Sequence, residues 1–279
     1  MQSGLIRDEQ TGILYKKWGC PAPRAVFLLV HGLCGFSGRW DPAADFFLHE
    51  NISSYAIELK GFGRTTDHKG HIDSFAIYYR DIQSLREIAQ RENSGKKIFL
   101  ISESMGSIIS LVLVGLKPDL FAGVICLSPA FKSRLKFSSA DTLSMYACLI
   151  FNPRKQFVMP FNGRMCTRDV AWQKALDTDE REHRLATPKL LFAILRSAER
   201  VNSLQHRIKI PVLFLLAGDL DALTDPRASK RFFDDLPVVD KNIILYPEMY
   251  HALSVDVGRE KVFTDIVQWV YKRLKGGLP

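Results

Sequence analysis

Short apolar runs and amphipathic stretches alternate along the first half of the chain. Residues 25–30 (Ala-Val-Phe-Leu-Leu-Val), 54–59, 98–101 (Ile-Phe-Leu-Ile) and 123–127 (Gly-Val-Ile-Cys-Leu) are too short for buried helices. They lack polar alternation, so they predict strands covered on both faces. Between them, apolar positions recur at helical spacing: Trp40, Ala44, Phe47 and Leu48 within 37–49, then Tyr79, Ile82, Leu85, Ile88 and Ala89 within 75–91. A third helix runs from 107 through Ile108, Leu111 and Val112, and ends before Pro118. Strand–helix alternation over 25–130 predicts a mostly parallel sheet with helices on both faces. Residues 12–18 alternate instead, which adds an antiparallel strand in front.

The pattern breaks after residue 130. Residues 131–206 mix aromatic and basic patches (Phe131 to Phe137, Arg154 to Phe161) with helical stretches around 170–176 and 188–200. The strand pattern then resumes at 208–217 and 241–246, with helices at 226–236 and 259–274 and a fraying end at 276–279. The expected organisation is a core of residues 1–130 and 207–279, interrupted by an inserted lid at 131–206. A lid carrying apolar side chains over the sheet edge would form an apolar pocket.

Charge sharpens the picture of that insertion. The chain carries a formal +8, and residues 131–210 alone hold 15 Lys/Arg against 7 Asp/Glu, so the excess sits on one segment. The basic lid extends the reading to peripheral contact with an anionic membrane, with Phe137, Phe157 and Phe161 partly inserted. No nucleic-acid-binding motif accompanies the charge, so nucleic acid is excluded as a partner. Five widely spaced cysteines without a Cys-x-x-Cys pair suggest reduced thiols rather than a disulfide framework or a zinc site. Gly61 and Gly63 lack the third glycine of a dinucleotide fingerprint, since position 66 is Thr66. His68 and His71 read as solvent-exposed, and neither a metal nor an organic cofactor is expected. With no signal-peptide or membrane-spanning run, a cytoplasmic protein is expected.

The candidate chemistry lies at Ser102-Glu103-Ser104-Met105-Gly106, between a predicted strand and a predicted helix. Small residues two before and two after Ser104 suit a sharp turn that lifts a nucleophilic hydroxyl out of the sheet. Such an elbow leaves the Met105 N–H free at a helix start. A glycine-rich turn, His31-Gly32-Leu33-Cys34-Gly35, ends the neighbouring strand and offers the Leu33 N–H as a second oxyanion donor. His31 there orders the loop by hydrogen bonding rather than acting as a base. Asp219, Asp221 and Asp225 cluster past the strand at 208–217, and His251 follows the last strand. Serine, then acid, then histidine is the α/β-hydrolase order. The histidine takes the serine proton, and the carboxylate holds the histidine tautomer.

The motifs resemble the monoacylglycerol lipase and lysophospholipase branch of α/β-hydrolases over roughly residues 25–270. His31-Gly-Leu-Cys-Gly-Phe-Ser-Gly-Arg-Trp40 is similar to its His-Gly-x-x-x-x-Ser-x-Arg-Tyr, and Gly61-Phe-Gly-Arg-Thr65 to its Gly-His-Gly-Arg-Ser. Cys166-Thr-Arg-Asp169 and the stretch from Asp179 to Arg184 resemble its lid, and Tyr250-His-Ala-Leu253 its histidine region. The family's Gly-x-x-Asp falls on Gly218 to Asp221, so the resemblance implies Asp221 as the catalytic acid. Ser102 and Ser107 depart from the family's glycines. The resemblance implies an α/β-hydrolase fold and cofactor-free hydrolysis of single-acyl esters through Ser104, His251 and Asp221. Two alternatives stand beside it: a prolyl aminopeptidase-type peptidase, which would need acidic groups near the lid for a substrate amine, and a non-catalytic ligand-binding protein on the same scaffold. Dehalogenase and epoxide hydrolase relatives carry Asp where Ser104 stands.

Overall fold

The computed structural model describes residues 4–275, so the predicted fraying at 276–279 lies outside the described residues. In chain order the strands of the main sheet are β1 (Ile6–Arg7), β2 (Leu14–Trp18), β3 (Ala25–Val30), β4 (Ile52–Glu58), β5 (Ile98–Glu103) and β6 (Gly123–Leu127). A short pair, β7 (Phe157–Val158) and β8 (Leu185–Ala186), stands apart, and β9 (Val212–Ala217) and β10 (Lys241–Tyr246) complete the sheet. The spatial order is β1-β2-β4-β3-β5-β6-β9-β10; β1 and β2 pair antiparallel, and every pairing from β4 to β10 is parallel. The predicted alternation is therefore a mostly parallel, eight-stranded sheet. Strands β3 to β6 and β9 are buried at every position, which is why β3, β6, β9 and the first four residues of β5 are continuous apolar runs, while β4 also buries Ser53, Ser54 and Glu58.

Helices cover both faces. On one side α1 (Asp41–His49) and α9 (Arg259–Leu274) pack over Phe27, Phe99 and Leu213. On the other, α2 (Phe75–Glu92) and α3 (Met105–Leu116) pack over Val26, Leu100 and Val124. Pro42 near the start of α1 turns the predicted helix of 37–49 into a 3-10 turn at Ser37–Trp40 followed by α1. Helix α3 begins at Met105, two residues earlier than its apolar periodicity indicates.

Between β6 and β9 the chain forms α4 (Ser139–Phe151), α5 (Gly163–Cys166), α6 (Val170–Thr178) and α7 (Pro188–Leu204), and α8 (Pro226–Asp235) follows β9. Helix α4 was not legible as a helix, because no apolar stripe separates a buried from a wet face: it has no buried residue. Its Leu143, Ile150 and Phe151 are 74%, 75% and 85% exposed. Of the three phenylalanines expected to insert partly into a membrane, one is turned away from solvent. Phe157 is buried, and Phe137 and Phe161 are half-buried against the core. Aromatic character alone could not distinguish a side chain turned inward from one turned outward.

His71 also departs from expectation. It is buried, with Nδ1 3.0 Å from the Thr187 hydroxyl and Nε2 3.4 Å from Asp73. Gly70 beside it adopts positive φ, and a Cβ there would meet the Leu185 carbonyl at 2.0 Å. A polar loop that reads as solvated is thus a docking seam for the 185–187 segment. His68 is exposed, with Nε2 2.9 Å from the Arg154 carbonyl. No helix among the described residues is long and apolar enough to cross a membrane.

Candidate active site

Ser104 sits between β5 and α3 at φ 57°, ψ −120°, a left-sided conformation that a non-glycine residue adopts only under constraint. Its N–H donates to the Leu127 carbonyl at 2.9 Å, which pins the turn to the end of β6. The turn needs bare backbone on both sides. A Cβ on Gly106 would lie 2.6 Å from the carbonyl oxygens of both Val30 and His31, and one on Gly32 would lie 2.9 Å from Ser104 Cβ. The two departures from the family's glycines interlock. Ser102 is fully buried with its hydroxyl on the Ile125 carbonyl at 3.3 Å, and the Ser107 hydroxyl donates to the Ser102 carbonyl at 2.9 Å. Serine fits there because each hydroxyl finds a backbone acceptor.

The turn after β3 is held by His31, whose two ring nitrogens are both engaged. Nδ1 lies 2.8 Å from the Gly32 carbonyl, and Nε2 accepts from the Leu59 N–H at 3.1 Å. Burial pushes its pKa down to about 4, so the ring is neutral and structural, as expected. It holds the segment bearing Leu33 beside the elbow, and Leu33, Ser104 and Met105 line one cavity.

Of the three candidate acids, Asp221 alone meets His251. Its Oδ2 is 2.8 Å from His251 Nδ1 and accepts from the Thr224 hydroxyl at 2.7 Å, while Oδ1 accepts the N–H groups of Leu223 and Thr224, each at 2.8 Å. Asp225 caps α8 through the Arg227 N–H, and Asp219 is largely exposed beside Arg134 and Arg227. Burial opposes ionisation of Asp221, but the His251 charge and the hydrogen bonds from His251 and Thr224 outweigh it and hold its pKa below the usual value. Burial likewise opposes the imidazolium of His251, and Asp221 outweighs it, so the His251 pKa is raised.

The histidine lies on the loop after β10, 5% exposed. Asp256 gathers that loop, accepting from the Tyr250 N–H at 2.8 Å and from the Arg168 N–H at 2.6 Å. The Ala252 N–H donates to the Cys166 carbonyl at 2.9 Å, so the chain between β6 and β9 is fastened to the histidine loop. A second tie crosses from the 3-10 turn: Arg39 forms a buried bidentate pair with Glu182. Sequence reading missed this pairing, although Arg39 and Glu182 each lie in a family-like stretch, as well as the roles of Thr224 and Asp256; no local pattern shows which distant residue each will meet.

Ser104 and His251 open onto the same cavity of about 330 Å³. Its walls are apolar, from Phe131, Leu135, Phe137, Met159, Phe161 and Leu191 among others. Among the described residues, Arg39 and Glu103 are the Arg, Lys, Asp or Glu side chains that line it. On the solvent side, Tyr146 and Leu195 line the cavity while remaining 70% and 62% exposed. A hydroxyl in a strained turn, an imidazole polarised by a buried carboxylate and an apolar chamber in front of them suit nucleophilic attack on an apolar acyl group.

The chain is similar to known proteins along most of its length. The profile of a family described as serine aminopeptidase, S33, matches residues 21–258. The monoglyceride lipase of Rattus norvegicus is 26% identical over 261 residues, covering 90% of this chain and 84% of that protein. An abhydrolase domain-containing protein of Dictyostelium discoideum is 26% identical over 98% of this chain, which spans 29% of that longer protein. Among solved structures, the monoacylglycerol lipase of Paleococcus ferrophilus superposes with a TM-score of 0.83 at 27% identity, covering 94% of this chain and 99% of that one.

Proposed function

Because the chain belongs to the serine aminopeptidase, S33, family of α/β-hydrolases, in its monoacylglycerol lipase-like branch, we propose that it hydrolyses carboxylic esters of a single acyl chain, such as monoacylglycerols or lysophospholipids. The observation that carries this reading is the His251–Asp221 pair opening, together with the Ser104 hydroxyl, onto an apolar cavity. Ser104 Oγ attacks the ester carbonyl while His251 Nε2 takes its proton, and Asp221 keeps the other proton on Nδ1 and stabilises the imidazolium. The Leu33 and Met105 N–H groups receive the oxyanion. His251 then protonates the departing alcohol, leaving an acyl-serine. Water, deprotonated by the same imidazole, releases the fatty acid and restores the hydroxyl.

The cavity, at the lower end of the ~300–1,000 Å³ usual for small-molecule sites, has room for one acyl chain. Residues 131–206 act as the cap that closes it. A peptidase binding a free amine needs an uncommitted carboxylate at the cavity. Here Glu103 is bound by Ser254 and Glu182 by Arg39, which favours the ester. The exposed apolar side of α4, flanked by the exposed Lys132, Lys136 and Lys155, supports peripheral contact with an anionic lipid surface at the cavity mouth. Co-sedimentation insensitive to the anionic lipid content of vesicles would remove that contact.

Ser104→Ala should abolish turnover of p-nitrophenyl esters and of a chain-length series of monoacylglycerols and lysophospholipids, with the fold retained. Near-normal hydrolysis by that variant would end the assignment.

A further inference from the structure

Glu103 faces the cavity but has no part in the proton relay or the oxyanion donors. It ends β5, directly before Ser104, and is 3% exposed. Both of its oxygens are committed to one residue: Oε1 accepts the Ser254 N–H at 3.1 Å and Oε2 the Ser254 hydroxyl at 2.9 Å. Ser254 lies three residues beyond His251, on the same loop, and is itself fully buried. A two-point grip on backbone and side chain of one residue fixes a loop in rotation as well as in distance. Such a buried carboxylate costs desolvation that an apolar residue would avoid.

We infer that Glu103 is a positioning residue for the proposed hydrolysis: its carboxylate ties the loop that carries His251 to the strand end that carries Ser104, and places a second negative charge beside the imidazolium formed during acyl transfer. The inference rests on the ester-hydrolase reading above. Groups from every neighbouring element act on this pair. Asp221, after β9, and Glu103, at the end of β5, favour the charged His251, and Arg39, from the 3-10 turn, disfavours it. Glu103 in turn faces His251 and Arg39, while Cys166 from α5, pushed up to about 12 by burial, stays an uncharged thiol. Burial raises the Glu103 pKa, and the Ser254 donors and the His251 charge oppose that rise. The carboxylate therefore gains most from its neighbours when the imidazole is protonated, the state that follows serine attack.

The test compares the wild-type protein with Glu103→Gln and Ser254→Ala. Fluorophosphonate labelling of Ser104 and p-nitrophenyl ester hydrolysis are followed across the acid limb of the pH profile, and melting temperatures report the fold. Glu103→Gln should lower kcat about tenfold with KM changed less than about twofold, and should move the acid limb down by about half a unit or more. Ser254→Ala removes one of the two grips and leaves the charge, so kcat should fall about threefold or more with the limb in place. A folded Glu103→Gln with an unmoved limb and kcat within about twofold of wild type overturns the inference. If that variant does not fold, an unchanged kcat in Ser254→Ala overturns it. A wild-type protein that neither labels nor hydrolyses fails the hydrolase reading instead, a separate result.

Discussion

Replacing Asp221 with asparagine separates orientation from stability at the site. The oxygen that receives the Leu223 and Thr224 N–H groups at 2.8 Å survives as the amide oxygen, so the turn after β9 keeps its bonds. The amide nitrogen takes the place of Oδ2, 2.8 Å from His251 Nδ1, and offers a proton where one was accepted. Imidazole then accepts at Nδ1 and carries its proton on Nε2, so in the proposed mechanism Nε2 can no longer receive the serine proton. Loss of this orientation costs about 10⁴ in kcat, or ~5.5 kcal/mol of barrier. The stability cost is two exchanged hydrogen bonds, those from His251 and the Thr224 hydroxyl to Oδ2, at about 1 kcal/mol each. Asp221→Ala differs, because it leaves the Leu223 and Thr224 N–H groups buried without acceptors at about 1–3 kcal/mol each. Steady-state ester hydrolysis and urea unfolding of both variants provide the assay. Both should lose turnover alike, and alanine alone should lose several kcal/mol of stability. An asparagine variant keeping more than about a tenth of wild-type kcat would show that Asp221 does not set the tautomer, and would refute the argument.

Three further outcomes are expected. The raised His251 pKa means that the imidazole is charged, and unable to accept a proton, to a higher pH than usual. The acid limb of kcat/KM should therefore have its midpoint above ~6.5. The stability drawn from the charged His251–Asp221 pair runs the other way: it is complete below ~6.5 and is lost as pH rises through the folded-state pKa. A limb at or below the ordinary imidazole value would contradict this. Gly106→Ala brings a methyl group to within 2.6 Å of two carbonyl oxygens and should destabilise the fold, or displace Ser104 and abolish labelling; a melting curve and fluorophosphonate labelling read the two effects. Arg39→Ala leaves Glu182 buried without its partner and should cost about 3–5 kcal/mol in denaturant unfolding, whereas Arg39→Ala combined with Glu182→Ala should recover part of that loss.

Much of this protein was written locally. The continuous apolar strands at 25–30, 98–101 and 123–127 report burial on both faces, and the amphipathic helix over 75–91 reports burial on one. These periodicities follow from solvent exposure alone, so they are legible before the chain is folded. The elbow was legible for a similar reason: a strand, a serine between small residues and a helix permit few backbone paths. The resemblance to a known branch pointed to Asp221. What local pattern could not supply was any fact that depends on two distant segments meeting. Apart from that resemblance, the three aspartates past β9 are equivalent as letters, and the approach of the His251 loop separates Asp221 from Asp219 and Asp225. His71 reads as a loop histidine until Thr187 packs on it, and Phe157 as a membrane anchor until the fold turns it inward. Glu103 stands in plain view inside the elbow motif, yet its purpose comes from Ser254, 151 residues away. Burial periodicity is a property of one segment in water, whereas a hydrogen bond across the chain needs both partners brought together, and that requires the tertiary structure.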